Sequence, residues 1–189
     1  MTARQKEIII IAAQLFKEKG FTAVSMRDIA KALNIKAASL YNHISSKQDI
    51  LNHIILNIAE KFTSGMQTVL DVQTTSVEQL KMLIELHIDI AKNHPNELAT
   101  LNTDWNHLET SLEYYLKLRN EYEQNFREII QSGIAAQDIK PIDVEVILFS
   151  MLSALRNLYL WIPKKGQLDE EKLKKDLAEI FINGIKIKV

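Results

Sequence analysis

Residues 22–47 hold the side chains whose types and spacing could do chemistry. Tyr41 and Lys47, with Ser25 and Thr22, carry hydroxyl and ammonium donors of the kind that fix phosphate oxygens. Arg27 could reach a phosphate or a guanine edge. Lys36, Ala37, Ser39, Asn42 and His43 are candidates for base edges. Lysine donates to guanine, asparagine pairs with adenine through two hydrogen bonds, and alanine or serine can meet a thymine methyl. This is recognition chemistry rather than bond making. The chain has no Gly-rich phosphate loop and no nucleophile elbow. Its lack of cysteine removes a thiol nucleophile, a disulfide framework and a Cys-based zinc site. No enzymatic activity and no cofactor are expected. His87, His94 and His107, with Asp89 and Asp104, could converge on a metal. No two histidines have the i, i+4 spacing of a helix-borne site, so no metal is expected.

The elements that must position these residues are legible in Ser25 to Leu51, SMRDIAKALNIKAASLYNHISSKQDIL. Ser25 and Asp28 form a capping-box-like start, in which the hydroxyl accepts from a first-turn N–H and the carboxylate favours the positive helix end. Ile29, Ala30 and Leu33 lie at helical spacing and point inward. Asn34 stands where the chain must turn, a residue that tolerates the left-handed region. Ile35 follows as a buried anchor. A second short helix should begin near Lys36 or Ala37 and run to about His43, with Leu40 and Ile44 on its core face. Small residues at Ala37 and Ala38 would let its start approach a groove closely. Ser45 and Gln48 read as the capping pair of the next helix. Lys47 then falls in a first turn, where a cation is disfavoured by the helix dipole, which points to an anion nearby. Two helices joined by a tight turn make a helix-turn-helix. The blander reading is a three-helix packing unit with Tyr41 half-buried, His43 on the surface and Lys47 an ordinary lysine. The agreement of many weak features favours the first.

The string resembles the DNA-binding domain of the TetR family of bacterial repressors. The likeness is carried by Phe21, Ser25, Arg27-Asp28-Ile29-Ala30, Ile35, Ser39-Leu40-Tyr41, His43, Lys47 and Leu51. Upstream, Ala12-Ala13-x-Leu15-Phe16-x-x-x-Gly20-Phe21 fits the family's first helix and its glycine stop. The departures are Asn34 and Ala38, where glycine is usual or frequent, and Ile44, where phenylalanine is frequent. The resemblance implies DNA-contacting roles for Arg27, Ala37, Ser39, Tyr41, His43 and Lys47. It also implies a dimer, an inverted-repeat operator, and a small-molecule effector that moves the connector helix and releases the DNA.

Charge agrees with a DNA-facing head. Residues 1–50 hold eight Lys/Arg against four Asp/Glu, or +4, so the rest carries −5 of the chain's total of −1. With 47% apolar and 25% charged residues in 189, the composition is that of an ordinary globular protein. Ile8 to Ile11 is too short for a signal peptide and is bracketed by charges. Val144 to Ile162 is interrupted by Glu145, Arg156 and Asn157, so no membrane span is expected. A cytoplasmic location follows.

Few glycines and prolines and a helical period almost throughout predict an all-α chain. Helices are expected at about 2–19, 25–33, 37–43, 46–70, 76–93, 96–106, 108–132, 143–162 and 169–186. The domains expected are a three-helix helix-turn-helix domain at 1–46 and a helical effector-binding and dimerisation domain at 47–189. The helix from Val144 is apolar nearly all round, so it must be buried on several sides. Either it lies in a monomer's core, or it pairs with its copy and the last helix in a four-helix bundle. The second reading names Ile147, Met151, Leu155, Leu158, Trp161, Leu173, Leu177 and Phe181 as the dimer interface. Two recognition helices would then meet half-sites about 34–36 Å apart.

Effector candidates are Met82, His87, Trp105, His107, Tyr122, Phe126 and Arg156, each also readable as plain core or surface. Arg156 could pair with Glu145, pair with an acid of the dimer partner, or receive an anionic effector. Arg119-x-x-Tyr122-Glu123, Trp161 and Gly166 resemble the C-terminal domain of TetR regulators that sense acyl-CoA thioesters, with Leu160 and Pro163 standing where arginines are common. That likeness implies an acyl or other hydrophobic effector. The rival reading is an all-helical interaction or scaffold protein without sequence-specific DNA binding. Repressor and activator are both open.

Overall fold

The computed structural model describes residues 1–166 and 169–187. Among them are ten α-helices and two 3-10 turns, with no strand beyond an isolated antiparallel bridge between Ile139 and Lys186. The helices are α1 (Ala3–Lys19), α2 (Met26–Ala32), α3 (Ala37–Tyr41), α4 (Lys47–Asp71), α5 (Ser76–Asn93), α6 (Pro95–Asp104), α7 (Leu112–Ala135), α8 (Val144–Arg156), α9 (Leu158–Trp161) and α10 (Glu170–Ile185). Counting α8 and α9 as one interrupted helix gives the nine expected. Trp105–His107 and Ile162–Lys165 are the 3-10 turns.

The chain divides into two compact units: residues 1–60 with 94–117, and residues 61–93 with 118–189. In the first, α1 lies against α2 and α6, and α2 against α3. Ile8, Ala12 and Phe16 of α1, Ile29 of α2, Leu40 of α3, and Ile50, Leu51, Ile54 and Ile58 of α4 are fully buried. Burying each large side chain stabilises by about 1.5–3 kcal/mol. In the second unit α5 lies against α8, α9 and α10, and Leu80, Leu83, Ile84, Phe126, Ile130, Leu148, Leu152 and Leu155 are buried.

Helix ends follow the local chemistry. Thr2 and Gln5 form a capping box on α1, and Gly20 ends it at φ 81°. Ser25 and Asp28 form the box on α2 in both directions. After α2, Asn34 takes φ 54°. Its N–H donates to the Lys31 carbonyl at 3.1 Å, and the Ile35 N–H to the Ala30 carbonyl at 3.0 Å. This is a Schellman ending with asparagine in the left-handed position, so the turn expected at Asn34 is there. Ile35 and Leu33 are half-buried rather than buried. Two boundaries differ from the sequence reading. The helix from Ala37 stops at Tyr41, not His43. The cap of α4 is Ser46, whose Oγ accepts from the Asp49 N–H at 3.0 Å, and not Ser45 with Gln48.

The window Val144–Trp161 does reach the length and apolar content of a membrane span, beyond the sequence expectation. It breaks at Asn157, whose side chain bonds back to the Ser153 carbonyl. Its inner face is core: Ile147, Met151, Leu155 and Leu158 are 3, 2, 0 and 2% exposed within the single chain. These four, expected at a two-fold interface, pack as core within the single chain. The sequence offers apolar residues on both faces, and the polar Glu145, Ser150 and Ser153 mark the outer one. Facing outward on α8 instead are Val146 and Phe149, 58 and 47% exposed, with Ser150 and Ser153 between helical turns. Leu160 and Ile180 are also exposed, while Trp161, Leu173, Leu177 and Phe181 are half-buried.

Candidate nucleic-acid interface

The α2–turn–α3 segment holds its polar side chains outward. Leu40 and Ile44 anchor α3 in the first unit's core, and the side chains between and beyond them face solvent. Tyr41 is 53% exposed. Arg27, Lys36, Ser39, Asn42 and His43 are exposed, and Ala37 is half-buried at the start of α3. The Gln5 side chain donates to the His43 carbonyl at 3.0 Å, tying α1 to the end of α3. Arg27, Lys31 and Lys36 border a depression of about 510 Å³ with Asn34, Ile35 and Ala37. Lys31 escaped the sequence reading. Its signal was its place one helical turn after Arg27 on α2.

Two of the expected phosphate ligands have internal partners. Ser25 Oγ donates to Asp28 Oδ2 at 2.6 Å and accepts from the Asp28 N–H at 3.2 Å, so its hydroxyl proton is taken by the cap. These bonds from the Ser25 side chain and backbone hold the Asp28 carboxyl below the usual carboxylate range. Lys47 Nζ donates to the Phe21 and Val24 carbonyls at 2.8 and 2.7 Å and sits 4.3 Å from the Phe21 ring centre. A lysine in a first helical turn is thus accounted for by two carbonyls and an aromatic face, with one N–H left over. Lys47 thereby braces the loop that carries Ser25 and Arg27. The same loop is held from α6: the Phe21 N–H points to Asp104 Oδ1 at 3.4 Å, and the Phe21 and His107 rings lie 5.5 Å apart. Gln48 closes the arrangement, donating to the His107 carbonyl at 2.9 Å.

The effector candidates separate. Trp105 and His107 lie in the first unit, Trp105 beside Tyr115 at 5.9 Å between ring centres. Met82, His87, Tyr122, Phe126 and Arg156 lie in the second, where His87, Tyr122 and Phe126 come together and Met82 is half-buried. Arg156 pairs with Glu123 at 2.6 Å, not with Glu145, whose partner is Arg127. Burial alone would raise Glu123, but the hydrogen bonds and charges of Arg156 and Arg119 outweigh it and hold the carboxyl below its usual range. The residues considered for a metal have other neighbours: His87 meets Tyr122, His94 meets Glu97, and Asp104 meets Phe21. No group of three such ligands occurs among the described residues.

Comparison with known proteins agrees with this geometry along the chain. The family described as "Bacterial regulatory proteins, tetR family" matches residues 8–54, and "Tetracyclin repressor-like, C-terminal domain" matches residues 73–185. The HTH-type transcriptional repressor KstR2 of Mycolicibacterium smegmatis is 23% identical over 186 residues, 97% of this chain and 91% of that protein. The structure of the ketosteroid transcriptional regulator KstR2 of Mycobacterium tuberculosis superposes with a TM-score of 0.93 at 19% identity, covering 100% of this chain and 97% of that one. AibR, solved in complex with isovaleryl coenzyme A and operator DNA, superposes with a TM-score of 0.81 at 23% identity, covering 95 and 98%. The two family matches, the longer covering more than half the chain, make this protein a member of the TetR family, a DNA-binding transcriptional regulator and not an enzyme.

Proposed function

We propose that this regulator is a cytoplasmic repressor that binds an inverted-repeat operator as a homodimer and is released by a small hydrophobic or acyl-type molecule. The observation that carries the DNA half is the solvent-facing set on and beside α3: Lys36, Ser39, Tyr41, Asn42 and His43, with Arg27 beside them on α2. The domain at residues 1–46, with Lys47 at the start of the next, supplies the DNA contacts, and the domain at residues 47–189 serves effector and partner. Tyr41 and the remaining Lys47 N–H meet phosphates, Arg27 a phosphate or guanine, and the others base edges. The modest +4 of the head argues for two heads on one duplex.

The second copy is best accommodated by the outward apolar faces of α8 and α10. Val146, Phe149 and Ile180 are exposed there, and Leu173, Leu177, Phe181 and Trp161 are half-buried. Apolar exposure of this kind marks interaction surfaces. Repression rather than activation is supported by the KstR2 relatives, which are transcriptional repressors, and an acyl-type effector by the isovaleryl coenzyme A bound to AibR. Selection of bound duplexes from a random pool tests this reading. An enriched inverted repeat, bound by two protomers, is the expected result. Enrichment of nothing, with the protein folded, contradicts it and leaves a helical interaction module.

A further inference from the structure

The second unit buries a polar pair among its aromatic rings. His87 of α5 and Tyr122 of α7 are 2 and 6% exposed, and His87 Nε2 lies 2.9 Å from the Tyr122 hydroxyl. Aromatic rings surround them. Phe62 of α4 lies 4.7 Å from the imidazole, ring centre to ring centre, and Phe126 lies 6.4 Å from the Tyr122 ring. The other imidazole nitrogen, Nδ1, is enclosed and has no hydrogen-bond partner among the described residues. Buried polar groups without partners are rare because they forgo water and gain nothing in return.

The protonation states decide what kind of orphan this is. Burial, and after it the charge of Arg156, pushes His87 down to about 3, so its ring is neutral. Burial likewise raises Tyr122 above its usual range, so the phenol keeps its proton. If Nε2–H donated to the phenol oxygen, both the Nδ1 lone pair and the phenol proton would lack partners. If the phenol donates to Nε2, only Nδ1–H does. The second arrangement satisfies more groups, so the unpaired atom is a donor.

We propose that His87 Nδ1–H is the donor that selects the effector, accepting into this aromatic cluster a hydrophobic molecule with an uncharged carbonyl oxygen. The ligand's apolar body would lie among Phe62, Tyr122 and Phe126. Phe62, which lies against the imidazole, is half-buried. A carboxylate fits less well, because enclosure penalises a charge and Arg156 is already paired with Glu123. The proposal rests on the ligand-responsive reading above and adds to it a chemical class: ketone, ester or thioester.

Three measurements on the full-length protein test it. Nitrogen NMR of the imidazole in the free protein should show Nδ1 protonated and Nε2 bare. Protonation at Nε2 overturns the proposal without reference to any ligand. Calorimetry should give octanoyl-CoA an affinity about tenfold above S-octyl-CoA, which differs by lacking the carbonyl oxygen. The paired variant His87→Phe/Tyr122→Phe should melt higher than wild type and bind the two compounds equally. Equal binding by wild type, binding of neither compound, or discrimination that survives in the variant overturns the assignment. Operator binding, measured in parallel, separates the cases: if it persists in those outcomes, the regulator reading stands and only the role of His87 falls.

Discussion

The α2–α3 segment and the α8–α10 pair differ in how much of their arrangement is written in neighbouring residues, and the contrast lies in what fixes each. In α2–α3 the decisive signals are local and polar. Ser25 and Asp28 cap one helix, Asn34 turns the chain, and Leu40 with Ile44 leaves only one side of α3 for the core. Nothing distant is needed to say that Tyr41 and Asn42 face outward. In α8 the polar residues Glu145, Ser150 and Ser153 lie on the outer face, but Val146 and Phe149 stand among them, so the apolar pattern marks that face only weakly. Which face turns inward is settled by tertiary packing, and it is the face of Ile147, Met151 and Leu155, leaving Val146 and Phe149 outside.

Paired substitutions on α8 give the largest effect. Leu155→Ala, at a fully buried site, should cost about 2–5 kcal/mol of stability. Phe149→Ala should change the fold's stability by less than about 0.5 kcal/mol while weakening self-association. Denaturant melts and sedimentation of the two variants check this, and similar losses of stability from both would erase the distinction between the faces.

Lys47→Met addresses the head. Losing an ammonium bonded to two carbonyls should cost about 1.5–3 kcal/mol, the range for a hydrogen bond to a charged group. Because its remaining N–H meets a phosphate, the salt slope of operator binding should also become shallower by about one, and an unchanged slope would leave Lys47 a brace only. Ser25→Ala removes the cap of α2 and should cost about 1 kcal/mol in a thermal melt of the whole chain.

The smallest effect concerns acid. Glu123 is held below its ordinary value of 4.5 by Arg156 and Arg119 against the opposing push of burial. A lowered folded-state pKa stabilises above the unfolded value, and that contribution is lost as pH falls through the folded one. Melting temperatures taken between neutral pH and pH 3 should therefore fall less steeply for Glu123→Gln than for wild type. Parallel curves would show that the ion pairs add nothing.

The helical class, the turn at Asn34 and most helix ends were legible because caps and periodicity are written in neighbouring residues. Less was legible in the second unit. Arg156 stood out as a lone cation, but its partner Glu123 lies 33 residues away on another helix. His87, Tyr122 and Phe126 could be named as candidates, yet their meeting, and the orphaned Nδ1, depend on how α5 and α7 pack. Lys47 was read as a misplaced cation that points to an anion, and the partners found within the chain are two carbonyls and an aromatic face. Its carbonyl partners were not foreseen, since backbone atoms leave no mark in a sequence.

The central claim is that the outward face of α3 reads duplex DNA. The most direct test titrates wild type and Lys36→Ala/Tyr41→Ala against the selected duplex and a scrambled one at two salt concentrations. The account requires steep salt dependence, two wild-type protomers per duplex, and a variant that stays folded but no longer prefers the selected sequence. A folded variant that discriminates as well as wild type would contradict it.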